Sequence, residues 1–170
     1  MVTGTSSDDF APERGVTRAE FASMLNRALA LSTADTSRTA GFSDVTANDW
    51  FAGEIGSAAR AGLIDGYEDG SFQPNRMMSR TEAAAMAVRA AGFAGIPTSL
   101  KGDEADVWLR PFADANDVPW AREVLASAVK EGLLAGSAPG ELQPSKSITR
   151  AEAAAIVHRM LVRAGFISAP

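Results

Sequence analysis

The fold is decided by a stretch of four residues that occurs three times: Thr-Arg-Ala-Glu at residues 17–20, Ser-Arg-Thr-Glu at residues 79–82 and Thr-Arg-Ala-Glu at residues 149–152. A hydroxyl residue followed three positions later by Glu is typical of a capping box, in which each side chain accepts a hydrogen bond from the other residue's backbone amide at a helix N-terminus. Apolar residues follow each copy at helical spacing. The tetrapeptide therefore predicts three equivalent helices, each beginning at its Arg.

The tetrapeptide is part of a longer repeat, because the sequence matches itself at two fixed offsets. An offset of 70 residues aligns the third copy with the second, and an offset of 62 aligns the second with the first. The positions identical at the first offset include Phe42, Asp44, Trp50, Gly62, Leu63, Gly66, Gly70, Gln73, Pro74, Arg80 and Glu82. Those identical at the second offset include, in the first copy, Gly4, Phe10, Pro12, Arg18, Glu20, Met24 and Arg27. Such matches predict three copies of one unit, the first of which opens in its middle.

Each copy has the pattern of a helix, a loop and a second helix. Apolar spacing predicts the first helix from about Trp50 to Ala61, Gly62 stands where it would end, and residues 65–79 have the Gly, Pro and Asn of a loop. The second helix carries a core stripe, which in the first copy is Phe21, Met24, Leu25, Ala28 and Leu29. We therefore predict an all-α fold in one domain, residues 1–170. Its repeats are 1–31 (the C-terminal half only, without the first helix), 42–93 and 112–166, and its connections are 32–41 and 94–111.

Composition excludes several classes of protein. The 170 residues are 46% hydrophobic and 22% charged, as in globular proteins. Without Cys, and with His158 as the only His, a thiol nucleophile, a zinc site or a His-based triad is not expected. The net charge of -5 argues against a general nucleic-acid or membrane binder, and no apolar run predicts a membrane span. We expect no cofactor and no obligatory metal, because the acidic loop lacks the EF-hand series. The polar residues 1–9 do not have the pattern of a signal peptide, so we expect none within this chain.

Capping does not explain the Arg of the tetrapeptide. A cation at a helix N-terminus opposes the helix macrodipole by roughly 0.3–1 kcal/mol. Two interpretations are open. Each Arg could pair with an acidic neighbour such as Asp44 or Asp114, or it could bind an anion together with the free backbone amides of the helix end.

The longer pattern resembles the S-layer homology (SLH) repeat. The resemblance lies in Phe-Ser-Asp-Val at residues 42–45, in Trp50, in the run from Gly62 to Pro74 and in the motif around Arg80. It covers nearly the whole chain, and it implies a pseudo-threefold helical unit of three repeats. The family anchors bacterial surface proteins non-covalently to secondary cell wall polymers, typically ones that bear pyruvylated N-acetylmannosamine. The resemblance therefore implies a non-catalytic, extracellular module of the cell wall or S-layer.

The resemblance also implies where the ligand binds. The family's grooves lie between neighbouring repeats and use the motif Arg and the Trp that begins a repeat. The candidate ligand-binding residues are Arg18, Arg80, Arg150, Trp50, Trp120, Asp49 as an acceptor for sugar hydroxyls, and the loop glycines Gly66 and Gly70. We expect Arg18 with Trp50 and Arg80 with Trp120 to form the two complete grooves. A pyruvyl carboxylate suits Arg and backbone N–H donors, and a sugar face suits indole.

Some features leave alternatives open. Trp50 and Trp120 could be core anchors instead, since Trp is mostly buried in proteins. The third copy departs from the pattern with Ser-Ala-Pro at residues 137–139, and the first has Ser-Ser-Asp-Asp at residues 6–9. The alternative function is a structural module whose half-repeat is completed by self-association with another chain. A glycan-processing enzyme lacks support because every repeated Glu has a capping role. His158 follows a core position and is expected at the surface.

Overall fold

Helices form the regular structure of the computed structural model, which describes residues 10–33 and 41–169. In chain order they are α1 (Arg18–Ala28), α2 (Ala52–Arg60), α3 (Arg80–Phe93), α4 (Glu104–Leu109), α5 (Arg122–Lys130) and α6 (Arg150–Arg163), with a 3-10 helix, Pro119–Ala121, before α5. Within these ranges β pairing is limited to isolated bridges. The all-α prediction is confirmed. None of the described helices has the length and hydropathy needed to cross a bilayer.

The helices α1, α3 and α6 begin at the repeated tetrapeptide with complete capping boxes. In each, the N-cap hydroxyl accepts a hydrogen bond from the backbone N–H of the Glu. The Glu Oε2 accepts in return from the N-cap N–H, at 2.9 Å in all three copies. Removing such a cap costs a helix about 0.5–2 kcal/mol. Local chemistry therefore sets where the three central helices start.

The six helices form two groups. The helices α1, α3 and α6 contact one another pairwise, so that they make the centre of the molecule. The helix α2 packs against α1, α5 packs against α3, and α4 packs against α5. Each of these outer helices thus covers a central helix or another outer one.

A closed ring of backbone hydrogen bonds joins the segments just before the three central helices. The N–H of Val16 donates to the carbonyl of Ile148 (3.2 Å), that of Ile148 to Met78 (2.9 Å), and that of Met78 back to Val16 (3.0 Å). A second ring, which runs around the three repeats in the opposite sense, joins the N–H groups of Arg18, Arg80 and Arg150 to the carbonyls of Arg76, Lys146 and Arg14, respectively. Every repeat therefore bonds to both of the others at this end. The pseudo-threefold arrangement of whole repeats stays a prediction.

The core draws its apolar side chains from all three repeats. The largest fully buried ones are Phe21, Phe72, Leu25, Ile55, Leu63, Met78, Leu125, Leu133, Leu142, Ile148, Met160 and Val16. The predicted stripe of α1 is buried at Phe21 and Leu25, whereas Leu29 at its end is half-buried. A fully buried side chain of this kind contributes about 1.5–3 kcal/mol relative to exposure. The stripe is therefore core, as its spacing indicates.

One helix, α4, lies in a segment that the sequence predicts only as a connection, residues 94–111. Leu109 anchors it in the core, and Glu104 accepts a hydrogen bond from the backbone N–H of Lys101 at 2.8 Å. Lys130 of α5 pairs with the same Glu104 at 3.0 Å. The other two copies have no equivalent of these six residues, so comparison between repeats gives no signal for them.

Candidate functional site

The Arg of the tetrapeptide reaches from one repeat into the loop of the next. Arg18 is only 6% exposed. Its Nε donates to the carbonyl of Phe72 (2.9 Å), its Nη2 to that of Asp65 (3.1 Å), and its Nη1 to Oε1 of Glu82 (3.4 Å). Burial lowers the pKa of Arg18 from its ordinary value, against the opposing effect of Tyr67 and Glu82. An Arg stays protonated at neutral pH in proteins, so a buried positive charge lies at this junction.

Arg80 makes the same set of contacts one repeat further on. Its Nε donates to the carbonyl of Leu142 (2.7 Å), its Nη2 to that of Ala135 (2.7 Å), and its Nη1 to Oε1 of Glu152 (2.9 Å). Arg150 continues the series, since its Nε donates to the carbonyl of Phe10 at 3.0 Å. The loop that would complete its surroundings falls on residues 1–9, which lie outside the described residues. The repeated Arg therefore has a structural role between repeats.

The acidic partner of Arg18 and of Arg80 is the capping Glu of the next repeat, and not Asp44 or Asp114. Asp44 instead accepts hydrogen bonds from the backbone N–H groups of Phe72 and Gln73, both at 2.8 Å. Asp114 does the same for Leu142 and Gln143, at 2.8 and 2.7 Å. Gln73 and Gln143 have positive φ angles of 56° and 51°. The two Asp residues thus hold the turn that brings the loop carbonyls to the Arg.

One groove between repeats combines an Arg with a Trp. A cavity of about 160 Å³ is lined by Arg18, Asp65, Gly66, Tyr67, Arg89 and Trp120. A wider cavity of about 410 Å³ adjoins it, since Tyr67, Glu82 and Trp120 line both, and it adds Arg76 and the hydroxyls of Ser79, Thr81 and Ser145. We call these two cavities together the Trp120 groove.

The charges in the Trp120 groove are arranged around Tyr67. Its ring lies 4.8 Å from the guanidinium of Arg18 and 5.6 Å from that of Arg76, as in cation–π contacts. Its hydroxyl donates to Glu82 at 2.8 Å and accepts from Arg76, which also donates to Glu82 at 2.6 Å. Arg89 pairs with the exposed carboxylate of Asp65 at 2.5 Å. Three arginines against two carboxylates leave the groove net positive.

Two of these groups have pKa values displaced from the ordinary ones. Burial raises the pKa of Glu82, but hydrogen bonds from the Ser79 backbone, Tyr67 and Arg76 outweigh it and bring the pKa below its usual 4.5. Burial, together with the hydrogen bond to Glu82, raises the pKa of Tyr67. Glu82 is therefore ionised and Tyr67 is neutral at neutral pH. The carboxylate holds the aromatic ring and Arg76 in place.

Both candidate tryptophans are exposed, so the core-anchor alternative is wrong for them. Trp120 is 69% exposed and Trp50 is 64% exposed. Trp50 meets Phe51 edge-on, with ring centroids 5.3 Å apart. An indole held this far into solvent on a folded domain offers a face to a ligand.

The expected pairing of Arg with Trp is wrong. Trp120 shares its groove with Arg18, whereas the cavity of about 180 Å³ at Arg80 contains no Trp among its described lining residues. The reason is the order in which the Arg side chains connect the repeats. Each Arg side chain enters the loop of the following repeat. The Trp stands just before the outer helix that packs on that repeat, and this outer helix comes from one copy further on. By this order Trp50 belongs with Arg150, whose loop lies outside the described residues.

The other candidate residues have local roles. The carboxylate of Asp49 accepts hydrogen bonds from N and Oγ1 of Thr46, at 2.7 and 2.9 Å, so it closes a turn. Gly66 lines the Trp120 groove, and a Cβ there would lie 2.5 Å from Cε1 of Phe42. Gly70 has φ +79° and closes a turn to the carbonyl of Tyr67 at 3.0 Å.

Sequence reasoning missed Tyr67, Arg76 and Arg89 as groove residues. A signal existed for the two arginines. A basic residue recurs at Arg14, Arg76 and Lys146, and an Arg recurs at Arg27, Arg89 and Arg159. Tyr67 is the only Tyr and has no counterpart in the third copy, so the repeat comparison gives it no weight. In the described part of the chain, no cluster of acidic residues or His is arranged to hold a metal ion.

The fold and the groove define a class, an all-α repeat protein with a cationic, aromatic-lined groove between its repeats. The S-layer homology domain family matches the chain over residues 2–22, 41–84 and 111–154. This chain therefore belongs to the S-layer homology domain family.

Similar proteins include enzymes and surface-layer proteins. The chain is 37% identical over 169 residues to an amylopullulanase of Thermoanaerobacterium thermosulfurigenes, covering 98% of this chain and 9% of that protein. It is 33% identical over 165 residues to the surface-layer 125 kDa protein of Lysinibacillus sphaericus, covering 95% of this chain and 13% of the relative. An S-layer protein of Bacillus thuringiensis subsp. finitimus is 30% identical over 156 residues, covering 92% and 18%. The chain thus spans less than a fifth of the length of these relatives.

Proposed function

We propose that this chain anchors a surface protein to the bacterial cell wall without a covalent bond, by binding a pyruvylated, N-acetylmannosamine-containing secondary cell wall polysaccharide between its repeats. The family match supports the anchoring part, because relatives with this domain carry names such as S-layer protein and middle cell wall protein. The proposal places the chain outside the cell, at the cell wall or S-layer. It treats residues 1–170 as one domain with the three repeats given above.

The observation that carries the proposal is the Trp120 groove. An exposed indole stands beside a net positive charge from Arg18, Arg76 and Arg89, in a cleft rimmed by hydroxyl groups. A pyruvyl ketal adds one carboxylate to a sugar, and an Arg binds a carboxylate more strongly than it binds a neutral group. The flat apolar face of the sugar ring can lie on the indole while the exposed Ser145, which lines the same cavity, meets its polar edge.

Within the groove the cations differ in how freely they can meet a ligand. Arg18 already donates to two carbonyls and to Glu82. Among the residues that the structure describes, Arg89 has only the exposed Asp65 as its ion-pair partner, and its side chain is 40% exposed. A surface ion pair of this kind is worth little, about 0–1 kcal/mol, so an incoming carboxylate can replace Asp65. In the proposal Arg89 therefore contacts the ligand directly, and Arg18 shapes the groove.

The proposal includes no catalytic step. The amylopullulanase and glucanase names belong to relatives of which the chain covers 9–16%. In the groove itself, Glu82 is held by its own helix cap and by three side chains, which leaves it no freedom to act as an acid or base. The activity of any larger protein that contains this chain would lie outside the domain.

The test is a calorimetric titration of the chain with a synthetic pyruvylated N-acetylmannosamine glycoside, beside the same sugar without pyruvate. We expect binding that requires the pyruvate. Trp120→Ala and Arg89→Gln should each lower the affinity at least tenfold, a loss of about 1.4 kcal/mol. The matched controls are Trp108→Ala on α4 and Arg60→Gln at the end of α2, both outside the groove, and they should bind like the unaltered chain. Equal heats for the two sugars, or unchanged affinity in both groove variants, would refute the proposal.

A further inference from the structure

The two most exposed tryptophans follow turns that are closed in different ways. Before Trp50, the backbone N–H of Asp49 donates to the carbonyl of Thr46 at 3.1 Å. The carboxylate of Asp49 accepts from N and Oγ1 of the same Thr, at 2.7 and 2.9 Å. At the equivalent positions of the third repeat, Pro119 replaces Asp49 and Asn116 replaces Thr46. Because proline has neither a backbone N–H nor a carboxylate, none of these three bonds can form in the third repeat.

The indole of Trp120 also lacks the ring contact that supports its counterpart. Trp50 meets Phe51 edge-on, with ring centroids 5.3 Å apart, and Phe51 is itself buried. Ala121 stands in the position of Phe51. Within the part of the chain that the structure describes, Trp120 makes no ring-to-ring contact. Its direction is therefore set by the backbone of the 3-10 helix Pro119–Ala121.

One side chain, that of Arg122, ties this 3-10 helix to two other segments. Arg122 is the first residue of α5 and directly follows the 3-10 helix. Its Nη1 donates to Oδ1 of Asn116 in the preceding turn, and its Nη2 donates to Oδ1 of Asp106 on α4. The equivalent residue of the second repeat, Ala52, has no polar side chain. Arg122 thus holds the turn in the third repeat, where Asp49 holds it in the second.

The acidic partner of Arg122 comes from the helix that has no counterpart in the other repeats. The helix α4 lies in the longer of the two connections. It packs on α5, with Leu109 in the core and with Glu104 paired to Lys130 at 3.0 Å. Because these contacts hold α4 in place, the carboxylate of Asp106 meets Arg122 from a fixed position.

We propose that α4 is a positioning element for the indole of the Trp120 groove, and that Asp106 and Arg122 are positioning residues, which fix the turn before Trp120 so that its ring lines the groove before a ligand arrives. A ring already held in its bound direction loses less conformational entropy on binding, so this positioning raises affinity. The position of the ring can be observed without a ligand, whereas its effect on affinity rests on the proposed function.

A second ion pair between the same two helices separates positioning from simple support of α4. Glu104 and Asp106 both lie on α4, and each pairs with a cation of α5. Lys130 is the last residue of α5, whereas Arg122 is the first. Loss of either pair weakens the attachment of α4, but only the pair at Arg122 adjoins Trp120. The Glu104 pair is therefore a matched control.

The indole is observed directly by fluorine NMR of the chain labelled with 5-fluorotryptophan, without a ligand. Trp120→Phe assigns its signal. We expect Asp106→Ala and Arg122→Ala to shift or broaden the Trp120 signal, and Glu104→Ala to leave it unchanged. All three variants should stay folded, with an unfolding temperature lowered by no more than about 4 °C, because surface ion pairs contribute little to the stability of a domain of this size.

The effect on binding is measured by calorimetric titration with the pyruvylated glycoside. Asp106→Ala should lower the affinity by about threefold or more, because the ring must then be ordered on binding. Glu104→Ala should bind like the unaltered chain. In the Asp106→Ala chain, Asn116→Thr together with Pro119→Asp rebuilds the turn of the second repeat and should restore both the affinity and the indole signal. A merely supporting role of α4 predicts no such rescue, because the rebuilt turn needs no contact with α4.

Three outcomes would overturn the positioning. They are an unchanged Trp120 signal in the folded Asp106→Ala chain, an equal change of that signal in the Glu104→Ala chain, and no recovery in the chain with the rebuilt turn. Equal affinity of the unaltered and Asp106→Ala chains for the glycoside would refute the link to binding. Failure of the proposed function is distinct, since a chain that binds neither sugar still shows through its Trp120 signal whether α4 positions the indole.

Discussion

At the level of single residues, the two carboxylate oxygens of the tetrapeptide Glu accept hydrogen bonds from two different repeats. Oε2 of Glu82 accepts from the N-cap amide of its own helix, and Oε1 accepts from Arg18 of the preceding repeat. The sequence pattern predicts the first bond because it is local. The second joins residues 64 positions apart, so spacing along the chain cannot predict it. The Arg is unfavourable for the dipole of its own helix, but its hydrogen bonds to the next repeat offset that cost.

The contacts of the tetrapeptide Arg predict that its replacement strongly destabilises the protein. Arg80→Ala would leave two carbonyls and Glu152 without their donor, and we expect the free energy of unfolding to fall by about 3 kcal/mol. Arg80→Lys should recover only part of this, because an ammonium cannot reach three acceptors in the geometry of a guanidinium. Urea unfolding followed by circular dichroism measures both. The exposed Arg60→Ala is the control and should change stability by less than about 0.5 kcal/mol; a loss equal to that of Arg80→Ala would contradict the assignment.

The capping carboxylates predict a dependence of stability on pH. Hydrogen bonds lower the pKa of Glu20 and Glu82 below 4.5 despite burial, which acts in the opposite direction. A lowered pKa in the folded state means that the stabilisation is present above pH 4.5 and is lost as the pH falls through the folded value. We expect unfolding free energies that decrease from pH 5 to pH 3.

Glu82→Gln separates this charge from the cap. Gln can still form the capping box, but it does not ionise. The variant should therefore be less stable at pH 7 and should lose less stability on acidification than the unaltered chain. Chemical unfolding at three pH values measures the difference. A pH dependence as steep as that of the unaltered chain would show that Glu82 does not contribute to it.

At the scale of the element, the loop between the two helices of a repeat is built around a close approach. A Cβ on Gly66 would lie 2.5 Å from Cε1 of Phe42 and 2.8 Å from the carbonyl oxygen of Ser71, closer than any real contact. At the equivalent Gly136, the nearest atoms would be 3.1 Å away. The helix-loop-helix pattern is readable from Gly and Pro positions, but the difference between these two loops is not.

The two glycines make a matched pair for experiment. Gly66→Ala should destabilise the protein by about 2 kcal/mol through overpacking, and Gly136→Ala should cost distinctly less. Gly92→Ala, inside α3 with its nearest neighbour 3.6 Å away, should instead stabilise by about 0.5–1 kcal/mol. Thermal and urea unfolding of the three variants give this order, and equal losses at Gly66 and Gly136 would contradict it.

The elements themselves were largely predictable. Capping boxes and apolar stripes indicate α1, α3 and α6, and the Gly that ends each first helix indicates α2 and α5. The short α4 was not predictable, because it has no cap from its own N-cap side chain and no copy elsewhere in the chain. Its stability comes from Leu109 in the core and from Lys130 of α5, which are tertiary contacts.

At the level of the whole molecule, the sequence predicts several residues of the groove but not which of them lie together in it. Arg18 and Trp120 are both candidates from sequence, but their meeting depends on the order in which three repeats surround one another. The offsets of 62 and 70 residues indicate that the repeats are equivalent. They do not predict the order in which the three repeats are arranged in space. The role of Tyr67 in the groove also depends on the spatial order of the repeats, because its ring contacts both Arg18 of the preceding repeat and Arg76 of its own.

The closed ring of hydrogen bonds has a consequence in time. Val16 donates to Ile148, and Arg150 donates to Arg14, so the first and last repeats complete each other. The ribosome makes the N-terminal part first. The N–H of Val16 and the carbonyl of Arg14 therefore have no partners until more than a hundred further residues have been synthesised. Closing so long a loop is slow compared with forming a helix. The chain therefore reaches its native state only after the third tetrapeptide has left the ribosome. A nascent chain stalled before it can form the bonds between the first two repeats but lacks those that both of them make with the third.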